Sequence, residues 1–260
     1  MTATSSDLMV DNLKLRVQRQ GTDGPVVLFL HGAGGLAGFP PFLQQIAKGR
    51  RLIAPDHPGF GQSQDADLIR DVPDMAMFYL DLIEQLDLTD VHVVGHSLGG
   101  WIAAEMAVRN SSRLKSLSLI SPAGVRLKGH PMGDIFIWSP EEEVRNLFCD
   151  QSIAERQLAQ ELSSEQIDVM LRNRYTFTKL AWEPRGFNPA LQKWLHRVKV
   201  PTQVIWGKQD KVLPPALAAH WGRLIPHARV TTIESCGHLP LIEKPEETAQ
   251  LVNAHLNEVA

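Results

Sequence analysis

The chain has 260 residues, of which 43% are hydrophobic and 21% are charged. A chain of this length can bury a sizeable core, in one large domain or in two small ones. The formal net charge is −3, and lysine and arginine are scattered rather than clustered. This balance argues against a nucleic-acid partner, which needs a basic surface.

The start of the chain and its cysteines bear on the cellular compartment. The opening stretch "MTATSSDLMV" has no basic segment followed by an apolar one, so we predict no secretory signal. The longest apolar stretch, residues 26–39, is shorter than the roughly 20 residues that span a membrane. Cys149 and Cys236 are far apart, and two thiols in a reducing compartment are favoured over a disulfide. We therefore expect a soluble cytoplasmic protein with no membrane partner.

Short apolar runs rich in β-branched residues alternate with longer segments of helical period. The opening segment, residues 7–21, alternates and predicts an antiparallel hairpin at a sheet edge. The predicted strands that follow are residues 26–32, 50–56, 90–96, 114–121, 201–207 and 229–235. The predicted helices of the same region are residues 73–88, 98–110, 214–225 and 245–259. Several of the strands are apolar nearly throughout, which is typical of parallel strands covered on both faces.

This alternation predicts an α/β fold with a doubly wound, mostly parallel sheet. Between residues 125 and 196 the pattern changes to helical segments without a strand. We therefore predict a core of residues 1–124 and 197–260, with a helical cap of residues 125–196 inserted before the last two strands. The cap is an insertion rather than an independent domain. It should cover the carboxyl edge of the sheet, where open α/β sheets bind ligands.

A serine between two glycines follows one predicted strand and precedes a predicted helix. The segment Gly95-His96-Ser97-Leu98-Gly99 has the G-x-S-x-G pattern of a nucleophile elbow. Small flanking residues are needed because the backbone of the serine is strained and the chain packs closely around it. The N-terminus of the following helix would face the position where negative charge develops. We predict that Ser97 is a catalytic nucleophile.

A serine hydroxyl needs a neighbouring base to take its proton. His238 is the best candidate, because it lies between the last predicted strand and the last predicted helix. His96 is adjacent to the nucleophile, but we expect it to shape the elbow. His31 opens a glycine-rich loop, and we expect it to organise that loop by hydrogen bonding.

The histidine in turn needs a carboxylate to fix its tautomer. Asp210 follows a predicted strand, and the order Ser97, Asp210, His238 is the order of this type of elbow enzyme. The alternative position, after the preceding strand, carries Ser121 and no carboxylate. Asp56 also ends a strand but precedes the nucleophile, so we expect a structural role for it.

An oxyanion formed by attack on an acyl group needs two N–H donors. We predict the backbone N–H of Leu98, the residue after the nucleophile, as one donor. The second should come from the loop "HGAGG" after the first parallel strand, with Ala33 preferred and Gly34 as the alternative.

Five segments in this order, "HGAGG", "DHPGFGQS", "GHSLGG", "WGKQDKVLP" and "GHLP", resemble the α/β-hydrolase superfamily over nearly the whole chain. The resemblance implies the fold and the Ser-Asp-His set, and it makes the helical insertion the cap of that family. It says little about substrate, because the superfamily includes esterases, lactonases, carbon–carbon bond hydrolases, perhydrolases and lyases.

The first functional hypothesis is a serine hydrolase of an ester or similar acyl compound that is small to medium and partly apolar. Aromatic and aliphatic residues of the cap should line part of an apolar acyl pocket. The candidate pocket residues are Gly34, Ile135, Trp138, Phe148, Phe177, Trp182 and Leu239. No metal or organic cofactor is implied, since the chain has no H-E-x-x-H, cysteine pair or phosphate-binding loop. The oligomeric state stays open, because exposed cap residues such as Ile135 and Trp138 could also serve a dimer interface.

The second hypothesis is hydrolysis of a carbon–carbon bond in a ring-cleavage product. The stretch of residues 182–201 resembles the return from cap to core in such enzymes, and Arg185 or Arg174 could hold a substrate carboxylate. In those enzymes a tryptophan commonly follows the catalytic histidine, whereas Leu239 stands at that place here.

Two further hypotheses come from other classes of protein. One is a non-catalytic scaffold of the same fold, although such relatives usually lose a member of the triad and none is missing here. The other is a dinucleotide-binding oxidoreductase, suggested by Gly32, Gly34 and Gly38 after a strand and Asp56 after the next. That glycine spacing departs from G-x-G-x-x-G, and it leaves the serine, aspartate and histidine unexplained.

Overall fold

The computed structural model describes residues 3–36 and 38–259, and its centre is an eight-stranded sheet. The strands are β1 (Thr4–Val10), β2 (Leu13–Gln20), β3 (Val26–Leu30), β4 (Arg51–Pro55), β5 (Val91–His96), β6 (Leu114–Ile120), β7 (Thr202–Gly207) and β8 (Arg229–Ile233). Their order is β1-β2-β4-β3-β5-β6-β7-β8, and the six strands from β4 to β8 in this order run parallel. The predicted α/β fold with a mostly parallel sheet is confirmed.

The antiparallel edge of the sheet is the hairpin β1–β2. Its two-residue turn, Asp11-Asn12, has φ of 45° and 64°, the left-handed conformation that such tight turns require. β2 then pairs antiparallel with β4 and so joins the hairpin to the parallel sheet.

Helices cover both faces of the sheet. The helices of the α/β core are α1 (Pro41–Ile46), α2 (Val72–Gln85), α3 (Leu98–Arg109), α8 (Ala216–Leu224), α9 (Pro240–Glu243) and α10 (Pro245–Glu258). α2, α3 and α8 pack on one face, and α1 and α10 pack on the other. Every residue of the central strand β5 is buried, as expected for a strand covered on both sides. The sequence did not predict α1 and α9, which are too short to show a helical period.

The segment between β6 and β7 is helical, as predicted. It contains α4 (Pro140–Leu147), α5 (Gln151–Leu158), α6 (Ser164–Ala181), α7 (Leu191–Trp194) and a 3-10 turn (Leu195–Arg197). Ser139 and Ser163 begin α4 and α6 with capping boxes, in which each serine side chain accepts a backbone N–H. α5 ends at Leu158, and Ser163, the residue before α6, has an extended backbone conformation.

The end of this insertion lies against the core. Leu191 and Leu195 are buried in the same cluster as the inner residues of α3. The exact limits of the cap at residues 125 and 196 stay a prediction. Across the described part of the chain, no helix is both long enough and apolar enough to cross a bilayer.

Candidate active site

Ser97 occupies a strained bend between β5 and α3. Its φ of 51° and ψ of −110° are unusual for a residue with a side chain. Three backbone hydrogen bonds hold the bend: the Ser97 N–H donates to the Ile120 carbonyl at 2.9 Å, and the Ser97 carbonyl accepts from Trp101 at 3.0 Å and Ala123 at 3.1 Å. The strain is therefore supported by the end of the neighbouring strand and by the helix itself.

The flanking glycines are required by close packing. A Cβ atom at Gly95 would collide with the backbone of Gly99, and one at Gly99 would collide with the carbonyl of Leu30. At Gly100 a Cβ would lie 2.8 Å from Pro122 Cβ. These contacts bring α3 directly onto the sheet, so the first turn of the helix lies beside the serine.

The structure brings Ser97, His238 and Asp210 together. Ser97 Oγ lies 2.9 Å from His238 Nε2, and His238 Nδ1 lies 2.8 Å from Asp210 Oδ2. The second oxygen of Asp210 accepts the N–H groups of Val212 at 2.9 Å and Leu213 at 2.8 Å. Because an ionised carboxylate only accepts, Nδ1 of His238 carries the proton and Nε2 is free to accept one from the serine.

Three strand ends position these side chains. Ser97 follows β5, Asp210 follows β7 and His238 follows β8, all at the carboxyl edge of the sheet. Asp210 and His238 are buried, whereas Ser97 is half-buried. The serine is therefore the most accessible of the three groups.

Hydrogen bonds tie the two loops of His238 and Asp210 to each other. The Gln209 N–H donates to the Cys236 carbonyl at 2.9 Å, and Gln209 Oε1 accepts the Cys236 N–H at 3.0 Å. Glu243 accepts the N–H groups of Gly237 at 2.5 Å and Asp150 at 2.7 Å, which links the histidine loop to the insertion. Neither Gln209 nor Glu243 is among the functional residues predicted from the sequence: Gln209 lies next to Asp210 in the segment "WGKQDKVLP", and Glu243 lies outside the five segments.

His96 holds the backbone of His238. Its Nε2 donates to the backbone carbonyl of His238 at 3.0 Å. Burial, followed by the neighbouring His238, lowers the pKa of His96 to about 3, so its ring is neutral at physiological pH. This arrangement fits the shaping role that the sequence predicts for His96.

His31 is locked in a network under the glycine loop. His31 Nε2 accepts the backbone N–H of His57 at 3.0 Å, and its Nδ1 therefore donates to the Gly32 carbonyl at 2.7 Å. His57 in turn donates to the His31 carbonyl at 2.9 Å and accepts from Tyr79 Oη at 2.5 Å. Burial lowers the pKa of His31 to about 4. Both nitrogens of His31 are engaged, as expected for a residue that organises the loop.

The glycine loop forms a tight turn beside Ser97. The Gly35 N–H donates to the Gly32 carbonyl at 3.0 Å, which places Ala33 and Gly34 in the centre of the turn. A Cβ at Gly32 would lie 3.4 Å from Ser97 Cβ, whereas one at Gly34 would meet nothing within 4 Å. The loop is therefore close to Ser97, and its outer part faces open space. The choice of Leu98 and Ala33 as the oxyanion donors stays a prediction.

The candidate pocket residues occupy different parts of the insertion and its surroundings. Phe177 stacks on Phe136 with ring centroids 5.2 Å apart, and Trp182 meets the edge of Phe136 at 5.5 Å. Phe148 is buried at the end of α4. Leu239 is half-buried at the start of α9, one residue after His238. Their roles in binding a substrate stay predictions.

The other two candidates lie in the segment that precedes α4. Trp138 is half-buried over Gly133, where an added Cβ would collide with the indole ring. Ile135 is half-buried as well, and its carbonyl accepts from Arg174 Nη2 at 2.8 Å.

The two arginines proposed to hold a substrate carboxylate already have acidic partners. Arg174 forms an ion pair with Glu143, and Arg185 forms one with Asp134. The Arg185 guanidinium also lies 4.4 Å above the Trp182 ring. Their charges are thus balanced within the insertion.

Asp56 and Ser121 lie near the same edge of the sheet. Asp56 Oδ2 accepts the N–H of Gln62 at 3.0 Å, and burial raises the pKa of this carboxyl. Asp56 therefore shapes its own loop. Ser121 is fully buried directly after β6, has φ of 42°, and its Oγ has no hydrogen-bond partner among the described residues.

Comparison with known proteins identifies the family. The protein-family model described as alpha/beta hydrolase fold matches residues 25–245 of this chain. The chain belongs to the α/β-hydrolase family. The match includes both flanks of the insertion as well as Ser97, Asp210 and His238, so the resemblance seen in the sequence is confirmed.

Three similar proteins show the range of the family. The dihydrolipoyllysine-residue acetyltransferase component of an acetoin cleaving system from Cupriavidus necator is 30% identical, over 95% of this chain and 67% of that protein. Monoacylglycerol lipase ABHD6 of Rattus norvegicus is 29% identical, over 88% of this chain and 74% of that protein. A variant of the meta-cleavage product hydrolase of Pseudomonas fluorescens IP01 superposes with a TM-score of 0.82 at 21% identity, over 98% of each chain.

These similarities establish the type of protein. The chain is an enzyme of the α/β-hydrolase type, as predicted, and the hypotheses of a non-catalytic scaffold and of an oxidoreductase have no support. At 21% identity the likeness to the meta-cleavage product hydrolase concerns the fold alone.

Proposed function

We propose that this enzyme is a serine esterase that cleaves its substrate through an acyl-enzyme on Ser97. One observation carries the proposal: Ser97, on a strained bend, is hydrogen-bonded to His238, which is hydrogen-bonded to Asp210. This arrangement activates a hydroxyl for attack on an acyl carbon. In this proposal residues 125–196 are the cap over the site.

The reaction takes place in two halves. His238 Nε2 accepts the hydroxyl proton while Ser97 Oγ bonds to the carbonyl carbon of the ester, and the carbonyl oxygen becomes an oxyanion. The tetrahedral intermediate collapses, the bond to the leaving alcohol breaks, and His238 gives that alcohol the proton. Water then attacks the acyl-enzyme with His238 again as base, which releases the carboxylic acid and restores Ser97. Asp210 stays ionised and stabilises the protonated ring.

The oxyanion would be bound by backbone N–H groups. Leu98 is the first residue of α3, where N–H groups lack partners inside the helix. Ala33 or Gly34 in the adjacent turn would supply the second donor. Such donors typically contribute about 10²- to 10³-fold each to turnover.

The insertion and the relatives support one class of substrate. The aromatic cluster of Phe136, Phe177 and Trp182 offers an apolar surface, which suits a small to medium, partly hydrophobic acyl group. The similarity to a monoacylglycerol lipase supports an ester of this kind. The alternative, cleavage of a carbon–carbon bond in an acidic ring-cleavage product, is less well supported because Arg174 and Arg185 are already paired.

A covalent probe and an ester series would test the proposal. The protein is incubated with a fluorophosphonate, the labelled peptide is identified by mass spectrometry, and p-nitrophenyl esters of increasing chain length are assayed. Label on Ser97, together with turnover that has a chain-length optimum, is the expected result. Label without ester turnover would favour carbon–carbon bond cleavage, and no label would refute the assignment of the nucleophile.

Two serine variants make the test specific. Ser97→Ala should abolish labelling and turnover. Ser121→Ala is the matched control, since Ser121 is also at a strand end with a positive φ and carries an unpartnered hydroxyl. Ser121→Ala should keep both labelling and turnover. Loss of label in Ser121→Ala alone would indicate that Ser121 is the nucleophile.

A further inference from the structure

A buried amide of the insertion lies against the glycine loop. Asn173 is on α6 and only 4% exposed. Its Nδ2 donates to the Gly34 carbonyl at 2.9 Å, and its Oδ1 accepts the Gly61 N–H at 2.8 Å. One side chain of the insertion therefore connects two loops of the core.

The contact fixes the turn that flanks Ser97. The peptide group between Gly34 and Gly35 is held at both ends: its N–H donates to the Gly32 carbonyl, and its carbonyl accepts from Asn173. Gly35 has φ of 84°, and a Cβ there would collide with the Asn173 amide. Since Ala33 and Gly34 lie inside this turn, the directions of their N–H groups depend on the same contact.

Neighbouring residues of α6 seat the helix without reaching the turn. Thr176 Oγ1 donates to the Gly59 carbonyl at 2.7 Å, and Arg172 Nη2 donates to the Ser63 carbonyl at 2.6 Å. Both bonds go to the loop that follows β4. Of these three side chains, Asn173 alone donates to the glycine loop.

We propose that Asn173 is a positioning residue for the oxyanion site: it holds the Gly34 carbonyl so that the second N–H donor points to the acyl oxygen. This proposal rests on the proposed function. The hydrogen bonds of Ser97, His238 and Asp210 are made at strand ends of the core, whereas the glycine turn needs a residue of the insertion. The oxyanion site is then complete only when α6 is seated.

Asn173→Asp separates the two hydrogen bonds. The carboxylate keeps an acceptor for the Gly61 N–H, but it presents an oxygen to the Gly34 carbonyl, and two facing acceptors repel. We expect kcat to fall about 10- to 100-fold with KM within two-fold, less than the loss of a whole donor. Inactivation by the fluorophosphonate should slow by a similar factor, since negative charge also builds on its phosphoryl oxygen.

Thr176→Val is the matched control, because it removes a hydrogen bond of the same helix one turn away. Its kcat should stay within two-fold of the unmodified enzyme. An equal loss in both variants, or a rise in KM alone for Asn173→Asp, would overturn the proposal, since either would show only that the helix must be seated.

Hydrogen exchange gives a readout that needs no turnover. Amide exchange of the peptide covering residues 31–36 should accelerate in Asn173→Asp and stay unchanged in Thr176→Val. If Asn173→Asp does not fold, Asn173→Ala is compared with Thr176→Val in the same way. Unchanged exchange in the variant of Asn173 refutes the positioning role. Absence of label on the unmodified enzyme refutes the esterase instead, so the two failures are distinguishable.

Discussion

Asp210 holds His238 with one carboxylate oxygen while its other oxygen is fixed by the backbone. Oδ2 accepts from His238 Nδ1, and Oδ1 accepts from the N–H groups of Val212 and Leu213. The carboxylate cannot rotate without losing two hydrogen bonds in a buried site, where unpaired N–H groups are costly. The orientation of the imidazole ring and its tautomer are therefore set by the loop after β7.

Asp210→Asn should disable the histidine while preserving the fold. The two backbone N–H groups will keep the amide oxygen on their side, so the amide nitrogen faces His238 Nδ1 and donates to it. The proton of the ring must then sit on Nε2, which can no longer accept from Ser97. We expect kcat to fall about 10³- to 10⁴-fold, measured on the best ester of the series.

The melting temperature and circular dichroism of Asp210→Asn should stay close to those of the unmodified protein. A kcat reduced by less than ten-fold would contradict the assigned tautomer and would indicate that another carboxylate orients His238.

The glycine loop allows a prediction from two neighbouring glycines. A Cβ at Gly32 would lie 2.7 Å from His96 Nδ1 and 3.4 Å from Ser97 Cβ, whereas one at Gly34 would meet nothing within 4 Å. Gly32→Ala should therefore displace the elbow or the ring of His96, lowering activity at least ten-fold and stability by about 1–3 kcal/mol. Gly34→Ala should leave stability within about 0.5 kcal/mol. Thermal melts and ester turnover of both variants test this, and equal stability losses would be inconsistent with the packing.

The sequence carries strong signals for the core of the site. Ser97, Asp210 and His238 each follow a strand, and parallel strands bring their carboxyl ends to one edge, so their convergence could be predicted. The roles of His31 and His96 could be inferred from their positions next to motifs. Each of these predictions depends on residues that are local to a strand end.

Contacts between the insertion and the core were not predictable. Asn173 stands in the helical stretch "RNRYTF", where nothing distinguishes it from a solvent-facing asparagine. Its partner Gly34 is 139 positions away in the sequence, so only the docking of α6 reveals the contact. Glu243 is similar, since its acceptor role depends on how the start of α5 meets the loop of His238.

Glu243→Gln should weaken the contact between the insertion and the histidine loop. The carboxylate gives one oxygen to Gly237 and the other to Asp150, whereas an amide has only one acceptor oxygen. One N–H would lose its partner, so we expect the free energy of unfolding to fall by about 1–2 kcal/mol. Glu247→Gln, on the exposed side of α10, is the control and should change it by less than about 0.5 kcal/mol. Urea denaturation measures the free energy of unfolding of both variants. Equal midpoints for Glu243→Gln and Glu247→Gln would contradict the role assigned to Glu243.

Five buried histidines should make the fold sensitive to mild acid. Burial lowers the pKa of His31 and His92 to about 4 and of His96 to about 3, and it lowers the pKa of His57 and His255 as well. Below pH 6.5 the unfolded chain binds protons that the folded chain does not, so stability must fall as the pH drops toward these lowered values. Each such histidine removes roughly 1.4 kcal/mol per pH unit in that range.

Urea midpoints between pH 7.5 and 5.0 test this effect. Stability should be nearly constant above pH 7 and should decline steeply below 6.5. His92→Gln is a useful variant because His92 on β5 has few hydrogen bonds to lose. Among the described residues, its side chain bonds only to Ser116 Oγ on the neighbouring strand β6, at 2.7 Å. This variant should take up about one proton fewer on unfolding at low pH, and its ester turnover should not change. A stability curve that is flat down to pH 5 would mean that these rings can be protonated in the folded protein.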